Sequence, residues 1–269
     1  MGSNTERSLS VNVLISCMHQ KDTSIIERTG IQTDVIVVNQ CDKDCVEDFE
    51  FQNRKGELCH CKFINTTERG LSRSRNMAIK NAWGDICLIC DDDELFVDNY
   101  EDIIQNAYLS NVKASVITFA FNRKGKKYPP NGQKLNIMRI IKTSSVEITF
   151  KRDDIISAGI CFDVMMGSGS GNGAGEENKF LMDCHRKGLE MRYEPAIIAA
   201  LLSTDSLWFK GRNEKYFRNW GWATRRSMGL FVGGLFVLYA LIFNYKKYSK
   251  ETSFFKAANN MIGGFFEKR

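Results

Sequence analysis

The sequence predicts an α/β fold in which helices flank a mixed sheet, followed by a C-terminal tail of membrane-associated helices. Two observations lead to this prediction. Short apolar, β-branched runs alternate with helix-forming segments over most of the chain, a pattern typical of α/β domains. The last part of the chain instead combines its most apolar stretch with an excess of basic residues.

The composition is that of a folded protein. The chain has 269 residues, of which 43% are hydrophobic and 26% charged, and it contains only 3 prolines. This length supports a substantial core without covalent cross-links. The composition excludes collagen-like, mucin-like and linker-dominated proteins. The 9 cysteines are irregularly spaced, and the opening residues lack an apolar signal segment. We therefore expect reduced thiols and a cytoplasmic compartment.

The first two strands are predicted at residues 11–16 (VNVLIS) and 34–39 (DVIVVN), because both runs are apolar and rich in β-branched residues. The polar segment 22–29 between them is long enough for a crossover helix, so the strands should be parallel. A nucleotide site is expected where these strands end.

Helices and strands continue to alternate after this opening. A helix at 69–83 should end at Gly84, and the strand 85–90 (DICLIC) runs directly into four acids. Further helices are predicted at 98–109 and 179–187, and further strands at 114–121 and 146–150.

The four acids after DICLIC are Asp91, Asp92, Asp93 and Glu94. Carboxylates repel one another, so this crowding is unfavourable unless a cation lies among them, and their oxygens suit Mg²⁺ or Mn²⁺. A solvated acidic turn is the alternative. The position at a strand end favours the metal.

A glycine-rich segment at 167–175 (GSGSGNGAG) precedes the pair Glu176 and Glu177, which begin a predicted helix. We expect the glycines to form a mobile loop, which either closes over a bound ligand or is a plain flexible connector. The acidic pair has two interpretations. Acids favour a helix N-terminus through the macrodipole, and a positioned carboxylate also serves as a general base.

The C-terminal tail is predicted to attach to a membrane. Residues 205–269 contain 12 Lys/Arg and 4 Asp/Glu, a net charge of +8 in a chain whose total is +5. The 19 uncharged residues 227–245 predict one helix about 28 Å long, which is marginal for crossing a bilayer and better suited to its interface. An amphipathic helix follows at 254–266. An anionic membrane surface is thus the expected partner, and nucleic acid is not.

Two alternatives stand beside the membrane interpretation. The tail could supply core helices or the interface of a homo-oligomer. Gly229 and Gly233 form a GxxxG pattern of the kind that pairs helices.

Four segments together resemble a known family: VNVLIS, DVIVVNQCD, RGLSRSRNMAIKNAWGDICLICDDDE and GAGEENKFLMDCHRKGLEMRYEP. From residue 11 to about residue 211, the chain resembles the nucleotide-sugar glycosyltransferases of family 2. The resemblance implies a GT-A fold, which is a Rossmann-like mixed sheet flanked by helices. With the tail described above, this gives two expected domains, a GT-A domain at 1–211 and basic, apolar membrane-associating helices at 212–269.

The resemblance assigns roles to individual residues. It implies that Asp91 and Asp93 bind the donor ribose and a metal ion, and that an acid of the pair Glu176 and Glu177, preferably Glu177, is the catalytic base. The remaining candidates are donor-binding residues and one acceptor contact: Asp42, Arg75, Asn76, Asp92 and Trp208. In place of the paired aspartates that many members carry after the second strand, this chain has Asn39, Gln40 and Cys41, with Asn39 or Gln40 as candidates for reading the nucleotide base.

The implied function is that of a metal-dependent, inverting glycosyltransferase of the hexosyltransferase type, using Mn²⁺ or Mg²⁺. The favoured donor is a UDP-sugar, and the acceptor is a hydroxyl of a lipid-linked saccharide. By analogy the enzyme would act at the cytoplasmic face of the cell membrane in bacterial surface polysaccharide synthesis, such as capsule or O-antigen. The alternative is an inactive membrane-bound scaffold that binds nucleotide sugars. A nucleotidyltransferase is disfavoured because no glycine-rich, basic phosphate loop follows the first strand.

Overall fold

The computed structural model describes residues 8–123, 125–173, 175–202 and 211–269. These residues form two compact units. The first unit contains the described residues within 1–69, 73–161 and 184–204, and the second contains those within 70–72, 162–183 and 205–269. The second unit therefore combines the C-terminal tail with the glycine-rich segment.

The described residues of the first unit contain a single mixed sheet. Its strands, in chain order, are β1 (Val11–Met18), β2 (Asp34–Gln40), β3 (Cys45–Gln52), β4 (Leu58–Thr66), β5 (Ile86–Cys90), β6 (Glu94–Phe96), β7 (Val116–Asn122), β8 (Gln133–Lys134), β9 (Ile148–Lys151) and β10 (Met191–Leu201). The spatial order is β3-β4-β2-β1-β5-β9-β7-β10-β6, and β8 pairs with β10. This arrangement confirms the predicted α/β fold with a mixed sheet.

The centre of the sheet is parallel, as the first two strands predicted. β1 pairs in parallel with β2 and with β5, and β2 pairs in parallel with β4. The side chains of β1, β2 and β5 are almost all buried on both faces, which explains why these three strands are largely apolar runs. β9 then runs antiparallel between β5 and β7 and makes the sheet mixed.

The helices, in chain order, are α1 (Ile25–Arg28), α2 (Leu71–Asn81), α3 (Tyr100–Ser110), α4 (Ile137–Ile140), α5 (Arg152–Ser157), α6 (Glu176–Arg186), α7 (Glu214–Met228), α8 (Leu230–Phe243), α9 (Tyr245–Tyr248) and α10 (Phe254–Phe266). A 3₁₀ turn lies at Ser145–Glu147.

The crossover helix predicted at 22–29 is shorter than expected. Only one turn forms, and it buries Ile25 and Ile26.

The second unit has its own apolar core, which is built from α7, α8, α9 and α10. Its buried side chains are Phe217, Val237, Ala240, Leu241, Tyr248, Ala257, Met261 and Phe265. Two glycines bring α7 and α10 together: a Cβ placed on Gly221 would lie 1.9 Å from the Met261 carbonyl oxygen, and one on Gly264 would lie 1.9 Å from that of Arg218. Only glycine allows the two backbones to approach so closely.

The single helix predicted at 227–245 does not form, and that prediction was wrong. Gly229 has φ 77°, a left-handed conformation that ends α7 and separates it from α8. The 14 residues of α8 are about 21 Å long at 1.5 Å per residue. No helix among the described residues has the length and hydropathy that a membrane crossing requires.

All 9 cysteines are free thiols, as their irregular spacing predicted. Seven are buried, Cys45 is half-buried, and Cys161 is exposed. Burial raises the pKa of the Cys87 thiol to about 12 and that of Cys59 to about 11.

Candidate active site

The predicted site lies at the carboxyl ends of the parallel strands. Because β1, β2, β4 and β5 run in the same direction, the residues that follow them meet at one edge of the sheet. Gln20 follows β1, Asp42 follows β2, and Asp91 follows β5. The acids that the sequence singled out after β5 thus lie at this edge of the sheet, within the first unit.

Asp91 is held in place through both of its carboxylate oxygens. Arg75 of α2 donates a 2.9 Å hydrogen bond to Oδ1, and the hydroxyl of Ser145 donates a 3.0 Å bond to Oδ2. Arg75 is only 1% exposed, whereas the Asp91 side chain is 30% exposed. Arg75, expected near the nucleotide, contacts Asp91 at this edge of the sheet. Asn76, the next residue of α2, is half-buried.

Ser145 was not identified from the sequence. It begins the 3₁₀ turn Ser145–Glu147, which a reciprocal capping box between Ser144 and Glu147 stabilises. Lys126 also donates to Ser144 and forms an ion pair with the buried Glu147. The Ser-x-x-Glu spacing was the only available signal, and it marks a helix start without revealing a contact with Asp91.

Asp92 and Asp93 follow Asp91 with fewer protein partners. Asp92 is half-buried and accepts a 3.3 Å hydrogen bond from Gln20, and Asp93 is exposed. Partial desolvation, together with the charge of Asp91, raises the pKa of both carboxyls. A cation would relieve this repulsion, so the donor set suits Mg²⁺ or Mn²⁺.

The acids do not form a closed metal site by themselves. Within the described ranges, no group of three or more His, Cys, Asp or Glu side chains is arranged to hold a metal ion. Magnesium sites of this kind commonly use one or two carboxylates and complete the coordination with substrate phosphates. With both Asp91 oxygens engaged by Arg75 and Ser145, Asp93 is the better placed ligand.

Glu94 stands apart from the other acids because it is fully buried. It accepts a 3.1 Å hydrogen bond from the Asp91 amide. Burial, with the neighbouring Asp91 charge, raises its pKa well above the ordinary value. Glu94 therefore shapes the turn after β5.

The two polar residues that end β2 are buried, whereas the acid that follows the strand is exposed. Asn39 is 0% exposed, and its amide exchanges hydrogen bonds of 2.9 and 3.0 Å with the Gln20 backbone and donates one of 2.8 Å to Asn65. The expectation that Asn39 reads a nucleotide base was therefore wrong, because these internal bonds occupy the buried amide. Gln40 is also buried, at 4% exposed. Asp42 is 87% exposed and pairs with Arg69 at 2.7 Å.

Glu176 and Glu177 lie in the second unit, in the first turn of α6. Glu176 is buried, at 4% exposed, and accepts a 3.0 Å hydrogen bond from the Gly175 amide. Glu177 is half-buried. Of the two, Glu177 is therefore the better candidate for contact with a substrate.

The glycines before α6 have a packing role that the mobile-loop interpretation did not include. Gly167 has φ 92°, and a Cβ there would lie 3.1 Å from the Ser72 hydroxyl oxygen and 3.2 Å from the Glu176 carboxyl carbon. Gly173 has φ 96° and faces Asn219 in the same way, at 3.2 Å. These positions need glycine both for the left-handed backbone and for the space. Trp208, the predicted acceptor contact, lies outside the described residues.

The comparisons with known proteins agree with this fold and point to one family. The family model described as Glycosyl transferase family 2 matches residues 20–166, more than half of the chain. The chain is also similar to the crystal structure of S. aureus TarS 1–349 in complex with UDP-GlcNAc, with a TM-score of 0.62 and 14% identity, covering 96% of this chain and 80% of that one. The same TarS fragment in complex with UDP gives a TM-score of 0.58 and 16% identity over 91% and 74% of the two chains. No curated protein sequence matches the chain.

Proposed function

The chain belongs to glycosyltransferase family 2, and from this we propose that it transfers a sugar from a UDP-sugar to a hydroxyl of a lipid-linked saccharide. The observation that carries the proposal is the acidic strand end, where Arg75 and Ser145 fix Asp91 while Asp92 and Asp93 follow it. A rigid, negatively charged edge next to the carboxyl ends of parallel strands suits a nucleotide and its associated cation.

The donor is assigned by likeness and by position. A structurally similar protein, S. aureus TarS, was crystallised with UDP-GlcNAc and with UDP, which supports a uridine nucleotide here. Asp91 is proposed to contact the ribose, and the exposed Asp42 to approach the base. Asn39 supports this surface from beneath by holding the backbone of Gln20.

We assign Mn²⁺ or Mg²⁺ to Asp93, with Asp91 as the second carboxylate in reach of the same edge. When bound, the ion would neutralise the charge that develops on the departing diphosphate. The protein's own contribution is to hold Asp91 in one orientation, because the Arg75 guanidinium lies against it.

Glu177 is the proposed general base, which would take the proton from the acceptor hydroxyl. A single base and one direct displacement at the anomeric carbon invert its configuration. Glu176 is assigned to structure, because it is buried and accepts the Gly175 amide. Trp208 remains the proposed acceptor contact.

The lipid-linked acceptor is proposed from the chemistry of the C-terminal tail, whose apolar and basic residues suit a membrane surface. An enzyme held at the cytoplasmic face of the cell membrane would have access to saccharides carried on membrane lipids. Assembly of a surface polysaccharide such as capsule or O-antigen is the corresponding pathway.

The test is release of nucleoside diphosphate by detergent-purified protein. The protein is incubated with UDP-, GDP- and dTDP-sugars and Mn²⁺, with and without EDTA, and a membrane lipid extract supplies the acceptor. We expect UDP release from one donor, loss of that release with EDTA, and loss in Asp93→Asn. Asp153→Asn is the matched control, since this acid of α5 is 86% exposed and pairs only with its neighbour Arg152 among the contacts described.

Two outcomes would contradict the proposal. Turnover that is unaffected by EDTA and by Asp93→Asn would exclude the metal assignment. Metal-dependent binding of UDP-sugars without transfer to any extracted lipid acceptor would favour the inactive scaffold.

A further inference from the structure

Helix α8 presents a broad apolar face to solvent. Phe231, Leu235, Leu238 and Ile242 recur at helical spacing, and the first two are 83% and 70% exposed. No charged residue occurs between Leu230 and Phe243. Side chains of this size are normally buried, so a contiguous exposed row indicates an interaction surface.

Helix α10 extends the same face. Phe255, Ile262 and Phe266 also recur at helical spacing, and the two phenylalanines are 83% and 67% exposed. A groove of about 480 Å³ between α8 and α10 is lined by apolar residues of both helices, Ile262 and Phe266 among them. We call this combined surface of α8 and α10 the apolar face.

The opposite sides of both helices are already used inside the second unit. Gly233 lies against Phe265, where a Cβ would approach the ring to 2.9 Å. Gly229 ends a helix instead of continuing one. The GxxxG pattern is therefore occupied within the chain, which removes the sequence argument for pairing α8 with a second copy.

The charges near the apolar face are mostly positive. From residue 230 to 269 there are 6 Lys/Arg and 2 Asp/Glu. Both acids already have arginine partners, Glu251 with Arg212 at 2.6 Å and Glu267 with Arg218 at 2.8 Å. Lys246 and Lys247 of α9, the short helix after α8, are exposed.

We propose that the apolar face inserts into the interfacial layer of an anionic lipid bilayer, with α8 lying in the plane of the membrane. The apolar side chains would enter the acyl boundary while the lysines contact the headgroup phosphates. At about 21 Å, α8 is shorter than the roughly 30 Å hydrocarbon core, so an in-plane orientation fits its length. A symmetric dimer through this face would instead bring the same cations together. The inference goes beyond the proposed reaction and does not depend on it.

Vesicle flotation of the full chain tests the proposal. The vesicles are phosphatidylcholine alone or phosphatidylcholine with about 30% phosphatidylglycerol. We expect the protein to float with the anionic vesicles and much less with the neutral ones. The double variant Phe231→Glu/Leu235→Glu should reduce the vesicle-bound fraction about tenfold or more. Its control, Leu109→Glu/Val112→Glu, changes two residues in or next to α3 that are 53% and 71% exposed, and should float normally.

A charge variant tests the contribution of the lysines separately from that of the apolar side chains. Lys246→Glu/Lys247→Glu should reduce binding to anionic vesicles about tenfold at low salt, with a smaller difference at high salt. Lys80→Glu/Lys113→Glu, two exposed lysines of the first unit, is the control. Circular dichroism and thermal melts establish that all four variants fold.

The proposal is overturned if the wild-type protein fails to float, or if the α8 variant and its α3 control lose binding equally. It is also overturned if sedimentation shows a dimer that Phe231→Glu/Leu235→Glu dissociates while vesicle binding is unchanged, because a second copy would then cover the face.

Discussion

The hydroxyl of Ser145 donates a 3.0 Å hydrogen bond to Asp91, 54 residues earlier in the chain. This bond joins the 3₁₀ turn before β9 to the acid that ends β5. Together with the buried Arg75 on the other carboxylate oxygen, it leaves Asp91 a single orientation. A site that must place a nucleotide benefits from such fixed geometry.

Ser145→Ala should therefore impair the enzyme while the fold stays intact. A hydrogen bond to a charged group contributes about 1.5–3 kcal/mol, so we expect kcat/KM for the donor to fall about tenfold or more. Ser110→Ala, at the exposed end of α3, is the control. Steady-state kinetics and a thermal melt check this, and an unchanged kcat/KM would mean that Ser145 does not orient Asp91.

Asn39 and Asp42 should respond in opposite ways. Asn39→Ala removes the partners of the Gln20 backbone and of Asn65, and should lower the free energy of unfolding by about 2–4 kcal/mol. Asp42→Ala changes an exposed side chain, so stability should move by less than about 0.5 kcal/mol while donor affinity falls. Urea unfolding and donor titration measure the two effects. Loss of stability in Asp42→Ala would contradict its assignment to the donor.

Glu176 and Glu177 are separable by amide substitution. Glu177→Gln should reduce transfer by about 100-fold or more and leave donor binding unchanged, because only the proton acceptor is lost. Glu176→Gln retains an oxygen for the Gly175 amide, so activity should stay within about tenfold of wild type. If Glu176→Gln is the inactive variant, the base assignment is reversed.

Two neighbouring glycines of α10 give a sharp test of the α7–α10 packing. Gly264→Ala places a methyl group against the Arg218 carbonyl and should destabilise the protein by about 3 kcal/mol or more. At Gly263 the nearest atom would be 3.8 Å away, so Gly263→Ala should stabilise by about 0.5–1 kcal/mol through helix propensity. Denaturant unfolding measures both. If both substitutions changed the free energy of unfolding equally, this would contradict the close approach of the α7 and α10 backbones at Gly264.

Asp163 predicts a pH dependence of stability. Burial alone would raise the pKa of its carboxyl, but hydrogen bonds from Arg226 and the Met165 amide outweigh burial and lower the pKa. A lowered pKa in the folded state stabilises the protein above the unfolded value of about 3.9, and this stabilisation is lost as the pH falls through the folded value.

Asp163→Asn should accordingly be less stable than wild type by about 1.5–3 kcal/mol at pH 7, and the difference should shrink below about pH 4. Urea unfolding between pH 3 and pH 7 measures this, with Asp153→Asn as an exposed control. A difference that stays constant with pH would show that the ionised carboxylate is not responsible.

The strands with simple physical signals were predictable from the sequence. Runs such as VNVLIS are buried on both faces, so their apolar pattern is continuous, and the acids that follow DICLIC mark the edge of the sheet. The β3–β4 hairpin was not predicted. β3 is an edge strand whose side chains are largely exposed, and its acids hide the strand pattern.

The candidate site was only partly predictable for a different reason. Its acids are consecutive in sequence, whereas the groups that hold them come from distant segments, as Ser145 and Gln20 do. Some polar residues that look functional in the sequence are buried and have a structural role instead, as Asn39 and Glu94 do. Spacing along the chain carries no information about either effect.

The exposure of one cysteine allows the protein to be labelled with a fluorophore at a single position. Cys161 is the one exposed thiol of the nine, and most of the others are buried. A maleimide fluorophore should therefore attach at Cys161 in the native wild-type chain, with no need to replace the remaining thiols. Such a label would lie six residues before the glycine-rich segment, and a change in its emission on addition of a UDP-sugar would report that this part of the chain responds to the donor.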